Sequence, residues 1–267
     1  MTKPPRKRRL LPNHRRSLGS LSAKKPVDLQ AINQKRVDGL VGLAPEIAVA
    51  VEACSSDAPC GSLICAECAE KARAPYVAEL SCIEGLYQGP HEIGTAFLAA
   101  YPPSSLIAAD IKTAKETFRK ELNRSGFKGS LVLGGTEAAW SERQGLWILH
   151  VHFLAIGAPE RAWGRLRTTL KKSGLRFPLK RQALNDVEAQ ISYLQKFVTY
   201  HRPGSFTGSS RSKAIPLPSD RLAELARWWS RYAFDDFPFL FGARRRGGRI
   251  IVESDELCVR RKTNQSR

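Results

Sequence analysis

Residues 146–156 read Leu-Trp-Ile-Leu-His-Val-His-Phe-Leu-Ala-Ile, and residues 130–137 before them read Ser-Leu-Val-Leu-Gly-Gly-Thr-Glu. Both are short apolar stretches of strand composition, and the polar residues 141–145, ending in glycine, read as the turn between them. The pair therefore predicts a β-hairpin. Side chains alternate along a strand, so His150 and His152 share one face while Leu149, Val151 and Phe153 take the other. Two imidazoles on an otherwise apolar strand are costly unless they share a purpose. A divalent metal is the natural one, and a merely structural pair is the plain alternative. Glu137 lies on the preceding strand, where cross-strand neighbours are about 5 Å apart, and could supply a carboxylate ligand. Two histidines and one carboxylate would leave positions open for a substrate oxygen.

Outward from the hairpin, residues 75–84 alternate Val77, Glu79 and Ser81 with Ala78, Leu80 and Cys82, which predicts a strand. Residues 87–101 give no decided period. Ile107, Ile111, Ala114, Phe118 and Leu122 predict a helix over 105–125, stopped by Gly126. Pro159 opens another, with Trp163, Leu166 and Leu170 on one side and Gly174 after it. A short edge strand is expected at 175–179 and a helix at 184–200. The Gly-, Ser- and Pro-rich stretch that follows reads as a linker over 204–219. A last helix spans 220–232, with Leu222, Leu225, Trp229 and Tyr232 as its stripe. Strands interspersed with helices in this order predict an α+β fold, an antiparallel sheet with packed helices.

In the 184–200 helix, Val187, Ile191, Leu194 and Val198 form the apolar stripe. At about 100° per residue, Tyr193, Lys196 and Tyr200 gather on a different face. Tyr193 then sits one turn from an ammonium. A tyrosine can serve as a covalent nucleophile, although its hydroxyl is weak with a pKa of about 10. The competing reading is a solvated face on which tyrosine and lysine cover the surface. Tyr200 could be a second nucleophile or a surface on which a base stacks.

The chain has 267 residues and a formal net charge of +18. Residues 1–36 carry eleven Lys and Arg against one Asp, and residues 244–267 eight against three, which leaves the middle nearly neutral. Basic ends on a neutral centre suit a phosphate backbone, or simply solubility. Arg244, Arg245, Arg246 and Arg249 follow a run of aromatics, a composition that suits single-stranded nucleic acid by stacking and phosphate contact. Equally, Phe234, Phe237, Phe239 and Phe241 could dock this end on the core. No apolar run approaches the roughly 20 residues of a membrane span. No apolar segment follows the basic residues 1–16, so a secretory signal is not expected and a cytoplasmic location is. Four of the six cysteines, Cys54, Cys60, Cys65 and Cys68, fall within fifteen residues, a spacing for structural zinc rather than disulfides in that compartment. Cys82 and His91 are alternative fourth ligands.

Glu137, the run Trp147-Ile-Leu-His150-Val-His152-Phe-Leu and the downstream Tyr193-Leu-Gln-Lys196 together resemble the HUH endonucleases, and within them the rolling-circle plasmid replication initiators. The likeness spans roughly residues 54–202 and includes the cysteine cluster. It departs from the family at Ile148, where a further histidine is common. It departs also at Glu67, where proline is common, and at Phe197, where a second tyrosine is common. The resemblance implies a ferredoxin-like HUH fold, with residues 76–84 as its first core strand. It implies Mg²⁺ or Mn²⁺ held by Glu137, His150 and His152, attack by Tyr193 on a scissile phosphate, and Lys196 steadying the phosphate or phenolate. The product would be a 5′-phosphotyrosyl link, made by a site-specific single-stranded DNA endonuclease and strand transferase. Composition and the resemblance together give a disordered basic arm over 1–36 and a zinc-binding segment over 37–75. An HUH domain over 76–203, a linker over 204–219, and a C-terminal helix with a basic tail over 220–267 follow. The implied partners are single-stranded or hairpin origin DNA and, since no Walker-type phosphate loop is present, a host helicase. The alternatives are a relaxase or transposase of the same family, a DNA-binding protein that keeps the fold without cutting, and a zinc-dependent RNA-binding module.

Overall fold

The computed structural model describes residues 28–171, 178–201 and 214–253. Its strands in chain order are β1 (His91–Tyr101), β2 (Leu131–Ser141), β3 (Leu146–Ile156), β4 (Leu179–Ala183), β5 (Tyr200–His201), β6 (Ile215–Pro216), β7 (Pro238–Phe241), β8 (Ala243–Arg246) and β9 (Arg249–Val252). The helices are α1 (Leu29–Leu40), α2 (Pro45–Glu52), α3 (Ala66–Leu86), α4 (Ile111–Ser125), α5 (Glu160–Leu170), α6 (Val187–Ser192) and α7 (Ser219–Trp229). The fold is α+β: β2 and β3 form the expected hairpin at the heart of a five-stranded sheet ordered β4-β1-β3-β2-β7, antiparallel throughout.

The two faces of β3 define two layers. Trp147 and Leu149, then Val151, Phe153 and Ala155, point to one side. There they meet residues of α1, α2 and α7 in one cluster and of α4 and α5 in another. Leu154 and Ile156 point to the other side, with Leu131, Leu133 and Ile93, against Tyr76, Leu80 and Ile83 of α3 and Ile191 of α6. His150 and His152 belong to this second face. Among the described residues, no helix is long and apolar enough to cross a membrane.

Three sequence expectations are corrected, and one undecided stretch is assigned. Residues 75–84 are not a strand; they continue α3, where Tyr76, Leu80 and Ile83 recur at helical spacing and are buried together. Pro75 sits inside that helix. The undecided stretch contains β1, whose alternation is broken by a register shift between Phe97 and Ala99. The helix placed at 184–200 is only the six residues of α6. The helix placed at 105–125 begins at Ile111, capped by the Asp110 side chain, after a separate 3-10 turn at Leu106–Ala108.

The domain scheme changes with these elements. Residues 29–36, assigned to a disordered arm, form most of α1, where buried Arg36 donates to the Ile64 carbonyl at 2.7 Å. The boundary at 75/76 falls inside α3, and β7 from the C-terminal part is an edge strand of the sheet. Residues 1–27, 172–177 with Gly174 and part of the edge strand expected at 175–179, 202–213 with most of the linker expected at 204–219, and 254–267 with Cys258 lie outside the described residues; the described edge strand, β4, starts at Leu179.

Candidate metal centre and tyrosine segment

Register builds the site. Glu137 on β2 pairs directly with His150 on β3, and the next pair on that face is Gly135 with His152. The Nε2 atoms of the two histidines are 3.0 Å apart, and Glu137 Oε2 lies 3.7 and 3.8 Å from them. The three side chains form one of two groups of ligand atoms among the described residues that could hold a metal ion. All three are largely buried.

The outer nitrogens are already used. His150 Nδ1 lies 3.1 Å from the Ile148 carbonyl, which can only accept, so its proton sits on Nδ1 and the Nε2 lone pair faces the centre. His152 Nδ1 is 2.8 Å from the Thr95 hydroxyl. When His152 donates there, two lone pairs and a carboxylate oxygen converge on one point. With the other tautomer, the two imidazoles hydrogen-bond to each other. The same atoms thus hold either a proton or a cation. Burial first, then the charges of His150, Lys196 and Lys180, keep the His152 pKa well below the ordinary imidazole value. At neutral pH His152 is therefore uncharged, the form that binds metals.

The tyrosine segment is anchored to this cluster rather than held on a helix. The chain leaves α6 at Tyr193, because the groups a longer helix would pair internally are taken elsewhere. Lys196 N–H donates to Glu137 Oε1 at 2.5 Å. Arg73 of α3 donates to the carbonyls of Ser192 and Gln195, at 2.6 Å each. Gly135 makes the close approach possible: a Cβ there would stand 2.7 Å from the Leu194 carbonyl oxygen and 1.8 Å from Gln195 Oε1. Buried Leu194 and the Phe197 ring, set among Trp229, Phe234 and Phe237, pin the segment on either side.

As a result the Tyr193 ring, 41% exposed, lies 5.1 Å from the His152 ring at a steep angle. Lys196 Nζ sits 3.3 Å from the centre of the Tyr193 ring. The structure therefore brings together Glu137, His150, His152, Tyr193 and Lys196. Tyr200 does not continue their helix face; it belongs to β5 and pairs with Pro216.

Two neighbours were not singled out in the sequence. Thr95 of β1 orients His152, and Lys180 of β4 pairs with Thr95, in the same cross-sheet row as His152 and Gly135. Leu179 turns to the opposite core, so Lys180 projects on the histidine side. Its Nζ stands 5.6 Å from the Phe97 ring, which in turn is 5.8 Å from the His150 ring. Only the pairing of β1 and β4 reveals them, and short-range pattern does not carry that pairing.

The second group is Cys54, Cys60, Cys65 and Cys68, all four brought together. The sulfurs of Cys54 and Cys68 are 3.5 Å apart, those of Cys65 and Cys54 3.6 Å, and those of Cys60 and Cys68 3.7 Å, too far for disulfides. Cys60 N–H donates to Cys54 Sγ and the Asn33 amide to Cys65 Sγ, each at 3.4 Å. The two alternative ligands stand elsewhere: Cys82 is exposed and His91 Nδ1 is 2.6 Å from Glu84 Oε1.

Arg244, Arg245, Arg246 and Arg249 lie on the β8–β9 hairpin and divide between its faces. Arg245 turns inward to Asp235 and lies over the rings of Tyr76 and Phe234. Arg244, Arg246 and Arg249 are exposed.

No family model, curated protein or solved structure matches the chain.

Proposed function

We propose that this chain is a single-stranded DNA endonuclease and strand transferase that starts rolling-circle replication, with Tyr193 as its nucleophile. One observation carries the reading. The Tyr193 ring packs against His152, with the Lys196 ammonium on its face, while Glu137 joins the backbone of Lys196 to the metal-ligand group. A carboxylate and two imidazoles that present bare Nε2 atoms when His152 donates to Thr95 fit a divalent ion such as Mg²⁺ or Mn²⁺, which would supply positive charge to a non-bridging oxygen of the scissile phosphate. Tyr193 gives up its phenolic proton to solvent and its oxygen forms a bond to phosphorus. The bond from phosphorus to the 3′ oxygen breaks, and that oxygen takes up a proton to leave as a 3′-hydroxyl. The 5′-phosphate remains on Tyr193, and a later attack by a 3′-hydroxyl reverses the exchange. Lys196 offsets the negative charge that gathers beside the ring.

The four-cysteine group fits zinc. A regular tetrahedron with an edge of about 3.6 Å has its centre about 2.2 Å from each corner, close to the zinc–thiolate distance of about 2.3 Å. This ion is structural in the proposal, since four thiolates leave no open position.

The test is covalent-adduct formation on a denaturing gel, with single-stranded DNA carrying hairpins of the protein's own replicon and Mn²⁺. The expected result is a DNA-linked band that Tyr193→Phe and His150→Ala abolish and Tyr200→Phe retains. A band lost in Tyr200→Phe but kept in Tyr193→Phe would transfer the chemistry to the other tyrosine. Binding of the same DNA with no band in the wild type would favour a non-cutting DNA-binding protein.

A further inference from the structure

The β8–β9 hairpin has two unlike faces. Its turn is Gly247-Gly248, with φ of 56° and 75°, the left-handed pair that a two-residue hairpin loop requires. Arg246 pairs with Arg249 and Arg244 with Ile251, so these four side chains share one face, while Ala243, Arg245, Ile250 and Val252 share the other. The second face is packed: Ile250 is buried, Ala243 and Val252 lie against the Tyr76–Leu80 cluster, and Arg245 is engaged by Asp235 and two rings. The first face is open, with Arg244, Arg246 and Arg249 exposed and Ile251 37% exposed. Among the described residues, Glu253 is the one acidic side chain paired with any of the three, 3.7 Å from Arg244.

We infer that this outer face, Arg244, Arg246, Arg249 and Ile251, is a docking surface for B-form duplex DNA, a partner distinct from the single strand that would be cut. Three arguments lead there. A two-stranded ribbon fits the B-DNA major groove, which is about 12 Å wide, when one face is backed by protein and the other carries long polar side chains. Residues along a strand advance about 3.4 Å each, close to the helical rise per base pair, so Arg244 and Arg246 address positions about two steps apart. Arginine offers a planar fork that suits both phosphates and guanine edges, and Ile251 offers an apolar contact of the kind a thymine methyl accepts. Single-stranded DNA is the poorer fit, because the aromatics that would stack bases are not on this face: Phe237 and Phe239 are buried, and Phe234 packs partly buried against the core beneath Arg245. The deep, narrow major groove of an RNA duplex would not admit the ribbon.

The experiment is fluorescence anisotropy with the full chain and three probes: a short DNA duplex, the same duplex in RNA, and oligo-dT. Wild type is compared with the triple variant Arg244→Gln, Arg246→Gln, Arg249→Gln, whose fold is checked by zinc content and near-UV circular dichroism. The triple variant is expected to bind the DNA duplex at least about 30-fold more weakly, with a salt slope smaller by close to 3, and oligo-dT within about threefold of wild type. Equal losses on duplex and oligo-dT, an unchanged duplex affinity, or wild-type binding of the RNA duplex as tight as DNA would each overturn the inference. The probes need no cleavage, so failure of the nuclease reading would appear separately, as the missing adduct.

Discussion

At the scale of single residues, the two histidines are set by what holds their outer nitrogens. Thr95→Val keeps the shape of the side chain and removes the hydroxyl that orients His152, 2.8 Å away. The expected outcome is a fall of about 10- to 100-fold in Mn²⁺ affinity by titration calorimetry with the far-ultraviolet spectrum unchanged; an unaltered Kd would show that Thr95 does not orient the ligand. The sequence made Glu137, His150 and His152 readable because one hairpin contains all three, and alternation alone decides which side chains share a face. Thr95 and Lys180 were not readable. They enter through β1, whose register shift at Phe97/Ala99 hides its period, and through β4, whose pairing joins residues far apart in the chain.

At the scale of elements, the tyrosine segment and α3 show where periodicity misleads. Val187, Ile191, Leu194 and Val198 do recur at helical spacing, yet Ile191 and Leu194 are buried while Val187 is exposed. Helix is abandoned because Arg73 and Glu137 offer the backbone better-placed partners in the folded state, and both come from distant elements. Gly135→Ala tests that arrangement. Its new methyl would meet the backbone of Leu194, so the segment must lift while the histidines one strand away stay put. Adduct formation should fall by at least about tenfold and Mn²⁺ affinity by a smaller factor, the part that Glu137 transmits from the segment; equal losses would mean that the alanine disturbs the sheet itself. Helix α4 carries a pH-dependent anchor. Lys115 Nζ donates to the carbonyls of Asp236 and Pro238, and burial, aided by Arg119, lowers its pKa from 10.5 to about 8. Below about pH 8 both folded and unfolded chains hold this proton, and the cost of burying the ammonium is felt in full. Between that value and 10.5 the unfolded chain holds more of the proton, so this group makes stability rise with pH. Urea unfolding at about pH 7 and about pH 10 should show wild type gaining on Lys115→Met by up to about 3 kcal/mol, and a constant difference would contradict the shift.

At the scale of the molecule, the four cysteines root α3, and α3 reaches the site through Arg73 and through Tyr76, whose hydroxyl donates to the Gly134 carbonyl at 2.6 Å. Cys65→Ser should therefore remove zinc by elemental analysis and lower the melting temperature by roughly 10 °C. Normal zinc stoichiometry in that variant would sink the assignment. The α+β class and the central hairpin were legible from order and alternation. The domain scheme was less so, because a chain cut at compositional shifts cannot reveal that β7 returns from the C-terminal part to edge the sheet. Glu137 has a last consequence. One of its oxygens faces the imidazoles and the other holds the backbone N–H of Lys196, so a single carboxylate belongs both to the candidate metal group and to the anchoring of the segment that carries Tyr193, the proposed nucleophile. Occupancy of one then biases order in the other, and thermodynamic reciprocity makes the effect equal in both directions. In the proposed reaction, whatever factor an ion contributes to ordering Tyr193, a DNA strand seated on Tyr193 returns to the retention of the ion.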